Sequence, residues 1–433
     1  MLQGFLKGYK GQIFPVNPNE GEILGLKCYP SVKEIPHHVD LAVIAVPAKA
    51  VPQVMEECGR KHVKAAVIIS GGFSEVGEKA LEDEVRRIAN KHKIAVIGPN
   101  CLGVFDATSG VDTLFNPRYK MERPRPGGIS FITQSGAVGA VVMDWAGAQG
   151  FGVSKFISYG NALNIDEVDL LNYLGKDDDT KVICMYLEGT RRGKEFIEAA
   201  ERVSLRKPVI AIKAGKTEEG ARAVSSHTGS LAGSAAVWKA AFRQAGVIEA
   251  EGMEEMFNYA RVFAEQPLPS GKRVGIITNG GGFGVLATDA CVKNGLTVSP
   301  LSEATAKAIK GKVPAYAVVK NPVDLVGDAN AERYEVAINA LVKDKAIDSI
   351  LCIVLFQTTD IQSEVVGVIA EASDLRKKPV VCCAAGGAYS QLHSRLLEES
   401  GVPTFSSLKA AADALAALSY YEDFKESVRG GKA

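Results

Sequence analysis

The chain has 433 residues, of which 46% are hydrophobic, and this length predicts about two to four domains with buried cores. Fifty basic and fifty acidic residues give a formal charge of zero, which provides no general attraction to nucleic acid or to an anionic membrane. No apolar run is long enough to span a bilayer, and no secretory signal pattern opens the chain. We therefore expect a cytoplasmic globular protein with no nucleic-acid or membrane partner.

Short apolar runs rich in β-branched residues alternate with helical stretches along nearly the whole chain. The runs are 40–47, 64–72, 93–100, 128–134, 181–189, 207–215, 273–281, 349–357 and 378–387. Continuous apolar strands between helices predict parallel sheets that helices cover on both faces. Proline- and glycine-rich stretches at 116–128 and 264–272 predict boundaries between cores. The sequence thus predicts an α/β protein of three doubly wound, Rossmann- or flavodoxin-like domains, at 1–122, 123–265 and 266–433.

The cysteines do not suggest a metal or redox site. The eight cysteines form no C-x-x-C pair, and their spacing to the histidines does not match a zinc site. Most of them lie within apolar strand or helix patterns, which favours buried thiols. No metal ligand is therefore predicted.

Two parts of the chain align with one another. The best-matched segments are identical at 8 of 26 positions, and glycines are prominent among the identities. The corresponding segments are 129–154 with 274–299, 182–189 with 350–357, and 207–215 with 378–386. Internal similarity of this kind predicts two related structural units.

The first unit is longer than the second between a matching pair of glycines. Gly215 is followed by Gly246 after 31 residues, whereas Gly386 is followed by Gly401 after 15 residues. The difference, 31 − 15 = 16 residues, is about the length of the glycine- and serine-rich segment around His227. We expect this segment to be an inserted solvated loop, which costs little closure entropy and is a common place for function.

A short turn joins a strand to a helix at the start of each unit. The first turn contains Ser135, Gly136 and Ala137, and the second spans 279–284. Exposed N–H groups at a helix N-terminus, with the positive end of the helix dipole, attract anions. Ser135 adds a hydroxyl donor, so the first turn is the stronger candidate for a phosphate site. Glycine in the second turn is equally compatible with close packing of helix on strand.

Glu188 follows an apolar run, and open α/β sheets bind their ligands at the carboxyl ends of strands. A carboxylate there can accept a hydrogen bond from one nitrogen of His227 and leave the other nitrogen free as a nucleophile. The aligned residue of the second unit is Phe356, so only the unit with the histidine segment has this acid. From the residues alone, an exposed loop glutamate and an exposed loop histidine remain the alternatives.

Ten short segments spread over essentially the full chain resemble a known family. They are PVNP (15–18), VPAKAV (46–51), KAAVIISGGFSEVGE (64–78), IGPNCLGV (97–104), ITQSGAVG (132–139), YGNALNIDEVDLL (159–171), YLEG (186–189), SSHTGSLAG (225–233), TNGGGFG (278–284) and NPVDL (321–325). In this order they are similar to the α subunits of ADP-forming acyl-CoA synthetases (acetate–CoA ligase, ADP-forming), within the succinyl-CoA synthetase superfamily. The resemblance implies an N-terminal CoA-binding domain followed by two related ligase domains, of which the first carries a phosphohistidine at His227.

The resemblance also implies a reaction. Acyl-CoA, ADP and phosphate would be interconverted with acid, CoA and ATP through an acyl phosphate and phosphorylated His227. Glu188 would orient the histidine, and the turn of Ser135, Gly136 and Ala137 would stabilise the phosphoryl charge. The ADP or ATP, with Mg²⁺, would be bound by a separate ATP-grasp β subunit in an α2β2 assembly.

Further binding residues are implied by the same resemblance. The residues expected to contact CoA or the acyl group are Pro15, Val16, Asn17, Pro18, Val46, Pro47, Ala48, Asn100 and Cys101. For Cys101, packing is kept ahead of chemistry. By analogy with the superfamily, Thr358 and Thr359 are expected to lie at a second phosphate-facing helix start.

Family members begin with a further strand and a glycine-rich turn, whereas this sequence begins within the following helix. We expect either a true start upstream of Met1 or weakened CoA binding. Two alternative functions remain: the α-like part of another acid–CoA ligase or acyltransferase, and a CoA-binding regulatory or scaffold subunit without turnover. Intact His227, Glu188 and Ser135 argue against loss of activity. The sequence determines neither the preferred acid nor the nucleotide.

Overall fold

The computed structural model describes residues 1–228 and 233–431, without the side chains of 225–228. The chain divides into two compact units, Met1–Met253 and Glu254–Ala433. Within the described ranges, no helix has the length and apolar character needed to cross a lipid bilayer.

The first unit alternates strands with helices. Its strands are β1 (Glu22–Ile23), β2 (Leu26–Lys27), β3 (Leu41–Ile44), β4 (Ala65–Ile68), β5 (Ala95–Ile97), β6 (Gly103–Asp106), β7 (Val111–Asp112), β8 (Arg125–Thr133), β9 (Gly152–Ser158), β10 (Val182–Leu187), β11 (Val209–Lys213) and β12 (Ile248–Glu249). Its helices are α1 (Leu2–Gly8), α2 (Val51–Arg60), α3 (Lys79–His92), α4 (Gly136–Ala148), α5 (Glu167–Leu174), α6 (Gly193–Ser204), α7 (Glu218–Thr228) and α8 (Ala235–Ala245).

Two main sheets organise the first unit. The strands β3, β4 and β5 form a parallel sheet in that order, and a larger sheet has the order β12-β11-β10-β8-β9-β6-β7. The strands from β8 to β12 are parallel, whereas β6 pairs antiparallel with β9. Segment 103–112 therefore follows the small sheet in the chain but extends the larger one.

Each of these sheets has its own hydrophobic core. Helices α2 and α3 contribute Met55 and Val85 to the core of the small sheet, where both side chains are fully buried. Helices α6 and α8 contribute Phe196 and Phe242 to the core of the larger sheet, with Trp238 in edge-to-face contact with both rings. Because these amphipathic helices pack on the faces of the sheets, the carboxyl ends of the parallel strands are left for the candidate sites.

The second unit repeats this architecture. Its helices are α9 (Met253–Glu265), α10 (Gly281–Lys293), α11 (Glu303–Lys310), α12 (Ala331–Lys343), α13 (Glu364–Asp374), α14 (Ala388–Glu399) and α15 (Leu408–Arg429). Its strands are β13 (Val274–Thr278), β14 (Val318–Val319), β15 (Val323–Asp324), β16 (Ser349–Ile353), β17 (Val380–Cys383) and β18 (Thr404–Phe405). They form one sheet in the order β14-β15-β13-β16-β17-β18, in which only β14 is antiparallel to its neighbour.

The internal repeat is visible in both topology and turn geometry. The order β8-β10-β11-β12 in the first unit matches β13-β16-β17-β18 in the second. At the end of β8, the Thr133 hydroxyl donates to the carbonyl of Ser135 at 2.9 Å and accepts from its N–H at 3.1 Å. Thr278 makes the same two bonds to Gly280, at 3.1 and 3.0 Å. The prediction of two related units is confirmed.

The sheet register corrects one detail of the sequence alignment. The register pairs Ile129 with Val182 in the first unit and Val274 with Ser349 in the second. Because 129 corresponds to 274, position 182 corresponds to 349, which is one residue earlier than the sequence alignment placed it. The structural counterpart of Glu188 is therefore Leu355 and not Phe356. Glu188 still has an apolar counterpart.

The extra length around His227 is partly helical. Helix α8 leads to Gly246 and α14 to Gly401, both with left-handed backbone (φ 66° and 75°), so these two helices correspond. Helix α7 has no counterpart between β17 and α14. The prediction of an insertion is confirmed, but the prediction that the segment around His227 is a loop is wrong for 223–228, which lie in α7. Residues 229–232 lie outside the described residues.

Helix α7 begins with a favourable capping sequence. The Thr217 hydroxyl accepts a hydrogen bond from the N–H of Gly220 at 3.0 Å. Glu218 and Glu219 lie in the first turn, where negative charge interacts well with the helix dipole. These signals outweigh the low helix propensity of the serines further along.

Candidate functional site

The turn at the end of β8 presents a helix N-terminus. Ser135 is the N-cap of α4, and its hydroxyl oxygen accepts from the N–H of Val138 at 3.3 Å. The first turn of α4 contains no acidic residue, so the helix itself places no carboxylate against an anion there. Ala137 is exposed, and Ser135 and Gly136 are partly exposed. The arrangement is suited to an anion, because free N–H groups, a hydroxyl proton and the positive end of the dipole share one place.

Gln134 ties this turn to the end of the neighbouring strand. Its side-chain oxygen accepts from the N–H groups of Glu188 and Gly189, the latter at 3.1 Å. Its side-chain nitrogen donates to the carbonyl of Gly189 at 3.0 Å. The amide thus fixes the backbone that carries Glu188 relative to the Ser135 turn. The sequence alone predicted no role for Gln134, although its counterpart Asn279 occupies the same place in the repeat.

Glu188 lies directly after β10 and is 4% exposed. Its position at the carboxyl edge of the parallel sheet is the one that the sequence predicted, and Gln134 ties its backbone to the Ser135 turn. His227 lies in the last turn of α7, but its side chain is outside the described residues. The hydrogen bond between Glu188 and His227 therefore stays a prediction.

A buried lysine, also missed by the sequence analysis, lies beside Glu188. Lys213 ends β11, is 3% exposed, and donates from Nζ to the carbonyl oxygen of Glu188 at 2.8 Å. Burial lowers the pKa of Lys213 to about 8, although the Glu188 carboxylate acts in the opposite direction. A lysine within the otherwise apolar run 208–215 is the signal that could have identified it.

A second group of predicted residues lies at the carboxyl edge of the small sheet. Val46, Pro47 and Ala48 follow β3, and the carbonyl of Val46 accepts from the Ser70 hydroxyl after β4 at 2.5 Å. Asn100 follows β5 and is exposed, and its N–H donates to the carbonyl of Ser70 at 2.9 Å. The structure thus brings two of the predicted CoA segments, 46–48 and the one with Asn100, together at one sheet edge, where ligands bind in open α/β sheets.

Asn161 connects this edge to the larger sheet. Its amide nitrogen donates to Glu75 at 2.7 Å and to Glu82 at 2.9 Å, and its amide oxygen accepts from Asn100 at 3.3 Å. Its N–H also donates to the carbonyl of Pro99 at 3.0 Å. Asn161 therefore holds Asn100 in place. The sequence analysis recognised the segment but assigned no role to this residue.

Glu75 is fixed in the same network. Its other oxygen accepts from the N–H groups of Gly72 and Phe73. Burial alone would raise the pKa of Glu75, but the hydrogen bonds from Asn161 and Gly72 hold it below the usual value. The carboxylate is ionised at neutral pH and stabilises the loop that follows β4.

The remaining predicted CoA residues, 15–18, form an extended segment beside Tyr29. The N–H of Asn17 donates to the carbonyl of Tyr29, and the N–H of Tyr29 donates to that of Pro15, both at 2.9 Å. Val16 and Pro18 are exposed. These bonds anchor the segment to Tyr29, and its contact with CoA stays a prediction.

Cys101 is packed inside the first unit. It is 4% exposed, and its Sγ donates to the carbonyl of Ile68 at 3.3 Å. Burial raises the pKa of the thiol to about 12, which disfavours the reactive thiolate at neutral pH. The geometry favours packing over chemistry at this position.

The predicted helix start at Thr358 and Thr359 is wrong. Helix α13 begins at Glu364, and 357–360 form turns before it. The Thr358 hydroxyl is already engaged, because it donates to the carbonyl of Leu355 at 3.1 Å and accepts from Asn279 at 3.0 Å. These local bonds favour a turn over a helix. No helix N-terminus therefore supports phosphate binding by these two threonines.

The small parallel sheet is followed by two related α/β sheets, and family models place this arrangement in the class of succinyl-CoA ligases. A CoA binding domain matches residues 1–107, a succinyl-CoA ligase like flavodoxin domain matches 126–263, and a Ligase-CoA domain matches 274–421.

Similar proteins identify the family within that class. The chain is 42% identical over 422 residues to the α subunit of acetate–CoA ligase [ADP-forming] II of Pyrococcus furiosus, covering 95% of this chain and 91% of that protein. It is 41% identical over 426 residues to acetate–CoA ligase [ADP-forming] I of Archaeoglobus fulgidus, covering 98% of this chain but 60% of that longer protein.

A solved structure gives the same result. The dinucleotide-forming acetyl-coenzyme A synthetase 1 of Ca. Korarchaeum cryptofilum, in complex with phosphate and ADP, superposes with a TM-score of 0.94 at 38% identity. The match covers 100% of this chain and 93% of that chain. The chain belongs to the family of ADP-forming acetate–CoA ligases.

Proposed function

We propose that the chain is the α subunit of an ADP-forming acyl-CoA synthetase that transfers a phosphoryl group through His227. The observation that carries this proposal is the link made by Gln134, which places the Ser135 helix N-terminus beside buried Glu188. An anion site next to a carboxylate that can orient an imidazole is the arrangement that phosphorylation of a histidine requires. Helix α7 brings the backbone of His227 into the same unit.

In the first step, phosphate attacks the acyl-CoA carbonyl, the C–S bond breaks, and CoA leaves as acyl phosphate forms. The N–H groups of Gly136 and Ala137 and the Ser135 hydroxyl hold the phosphoryl oxygens at the start of α4. Asn100, exposed at the edge of the small sheet, donates a hydrogen bond to the acyl carbonyl. Val46, Pro47 and Ala48 line the CoA site.

In the second step, the free imidazole nitrogen of His227 attacks phosphorus and the carboxylic acid leaves. Glu188 accepts a hydrogen bond from the other nitrogen and stabilises the positive charge that develops on the ring. In the third step, the phosphohistidine passes its phosphoryl group to ADP and His227 is regenerated. All three steps are reversible, so the same groups serve ATP synthesis and acid activation.

The nucleotide step requires a partner. We propose a separate ATP-grasp β subunit that binds ADP and Mg²⁺, assembled with this chain as α2β2. The support is that the Pyrococcus relative is named a subunit alpha and that the Archaeoglobus relative is longer than this chain. The solved relative contains phosphate and ADP, which supports these substrates. A cytoplasmic location stays a prediction from the sequence.

We also propose the three domain limits that the sequence suggested, near 122 and 265. The family models leave 108–125 and 264–273 between their matched ranges, which supports a domain limit in each region. Strands β6 and β7 would then belong to the CoA-binding domain by their position in the chain, but they would pair within the sheet of the next domain.

The test is phosphorylation of the purified chain with acetyl-CoA and radiolabelled phosphate. We expect an acid-labile, base-stable label on the peptide that contains His227, and no label in the variant His227→Ala. The matched control is His38→Ala, which removes a histidine that is exposed on the surface beside Asp40.

Two results would contradict the proposal. Label in His227→Ala would show that another group is phosphorylated. A wild-type chain that remains unlabelled with acetyl-CoA and phosphate, and also with ATP, Mg²⁺ and an ATP-grasp partner subunit, would show that the chain does not carry the phosphoryl group.

A further inference from the structure

The buried side chain of Lys213 lies at the end of β11, just before helix α7, which contains His227. Its ammonium group donates to the carbonyl oxygens of Glu188, at 2.8 Å, and of Ala214. It also lies 5.3 Å from the centre of the Trp238 ring, in the helix that follows the histidine segment. Lys213 thus contacts the strand end that carries Glu188 and the helix beyond His227.

Among the residues that the structure describes, Glu188 and Lys216 are the charged groups that act on this ammonium. Glu188 favours its protonated form, whereas Lys216, three residues later, disfavours it. Lys216 has its own partners, Glu249 at 2.7 Å and Glu251 at 3.0 Å. Burial of an ammonium group is costly unless nearby dipoles and charges stabilise it, so its presence here needs a reason.

The second unit shows that the fold does not require this lysine. The register pairs Ile183 with Val209 and Ile350 with Val380, which makes Ala384 the counterpart of Lys213. Ala384 is buried in an apolar core, and the counterpart of Glu188 is Leu355. Both charges are therefore present in the unit that contains His227 and both are absent from its repeat. The pair belongs to the function of the first unit rather than to its architecture.

We propose that Lys213 is a positioning residue for phosphoryl transfer, which holds Glu188 in the orientation that His227 needs. The proposal rests on the function proposed above. The hydrogen bond from Nζ fixes the carbonyl of Glu188 itself, and the contact with Trp238 anchors the lysine to α8. The ammonium charge also offsets the carboxylate charge, which reduces its repulsion of an incoming phosphoryl group.

The pH dependence gives a readout that a purely structural role would not produce. The folded pKa of about 8 lies below the usual value for lysine, so the ammonium charge is present at neutral pH and is lost as the pH rises through about 8. The rate of labelling should therefore fall above about pH 8 in the wild type. A variant without this ammonium should be slow at neutral pH and should show no such fall.

The experiment measures the initial rate of His227 labelling from acetyl-CoA and radiolabelled phosphate, between about pH 6 and about pH 10. For Lys213→Met we expect a rate about tenfold to 100-fold lower at neutral pH, with little change in the KM for acetyl-CoA. Lys213→Arg keeps the charge, so it should recover part of the rate and lose the fall above pH 8. Lys216→Met is the matched control, because it removes a nearby lysine whose partners are Glu249 and Glu251. It should keep the wild-type rate at neutral pH, and its fall should lie at a pH no lower than in the wild type, because Lys216 disfavours the charge on Lys213.

The outcomes separate this inference from the proposed function. A wild-type chain without label refutes the proposed function. Label in the wild type, with the same rate and the same pH dependence in Lys213→Met, overturns the role of Lys213. If Lys213→Met fails to fold, as shown by loss of calorimetric CoA binding, Lys213→Arg decides. An unchanged fall above pH 8 in that variant overturns the proposal.

Discussion

Replacement of Gln134 by leucine tests whether the Ser135 turn and the Glu188 strand end act as one site. The amide of Gln134 makes three hydrogen bonds to the backbone of Glu188 and Gly189. Leucine has a similar volume but makes none of them. We expect Gln134→Leu to loosen the end of β10 and to slow the labelling of His227.

The magnitude follows from the number of bonds. A neutral hydrogen bond contributes about 1 kcal/mol net, so three contribute about 3 kcal/mol. Since about 1.4 kcal/mol corresponds to a tenfold change in an equilibrium constant, the local opening equilibrium should rise about a hundredfold. Because the chain has more than one compact unit, one global unfolding curve would not isolate this effect.

Hydrogen exchange isolates the effect. The amides of Glu188 and Gly189 should exchange about a hundredfold faster in Gln134→Leu. The corresponding variant of the second unit, Asn279→Leu, should instead accelerate exchange at Leu355, whose N–H donates to Asn279 at 2.9 Å. For the labelling assay the control is Gln149→Leu, because Gln149 is exposed at the opposite end of α4.

Two results would refute this reasoning. Unchanged exchange at Glu188 and Gly189 would mean that the amide of Gln134 does not hold the strand end. Accelerated exchange with a wild-type rate of labelling would mean that the position of Glu188 relative to the Ser135 turn does not matter for the chemistry.

Two further predictions concern the small sheet. Asn161→Ala should weaken CoA binding about tenfold, a loss of about 1.4 kcal/mol, because it releases Asn100 and Glu75. Calorimetric titration with CoA measures this, and an unchanged affinity would contradict it. Cys101 should resist iodoacetamide in the folded protein at about pH 8 and react in urea, because its buried thiol has a pKa of about 12. Peptide mass spectrometry measures both reactions, and rapid alkylation of the folded chain would show that the thiol is accessible.

The sequence predicted the architecture well because the strands are buried on both faces. Such strands are continuous apolar runs, and the repeat indicated which runs correspond. The order of strands in the two larger sheets agrees with that correspondence. The alignment still misplaced the counterpart of Glu188 by one residue. In a buried strand every residue is apolar, so a shift of one residue leaves the apolar pattern of the sequence unchanged. Only hydrogen-bond register distinguishes Leu355 from Phe356.

Local chemistry explains the failures in secondary structure. The glycines and serines near His227 indicated a loop, but the capping residue Thr217 and the acidic first turn stabilise α7. The threonines at 358–359 suggested a helix start, but the bonds of the Thr358 hydroxyl close a turn six residues before α13. In both cases the deciding signal was a side-chain hydrogen bond to a nearby group.

Residues proposed to have a direct chemical role were easier to recognise in the sequence than residues that position them. Ser135 and Glu188 follow strands, and that position is readable from sequence. Gln134, Asn161 and Lys213 act through partners that are distant in the chain, such as Asn100 for Asn161. A single sequence contains no information about such pairs beyond the unusual placement of a polar residue.

The repeat suggests how one fold supports two different roles. In both units an amide after the first strand, Gln134 or Asn279, fixes the end of the next strand. Because the amide binds backbone groups of that strand end, this interaction does not depend on which side chain the strand end carries. The second unit presents Leu355 there, whereas the first presents Glu188 and adds Lys213 and helix α7. Under the proposed function, the phosphoryl-transfer site therefore differs from its repeat by two charged residues and one insertion, without change to the sheet.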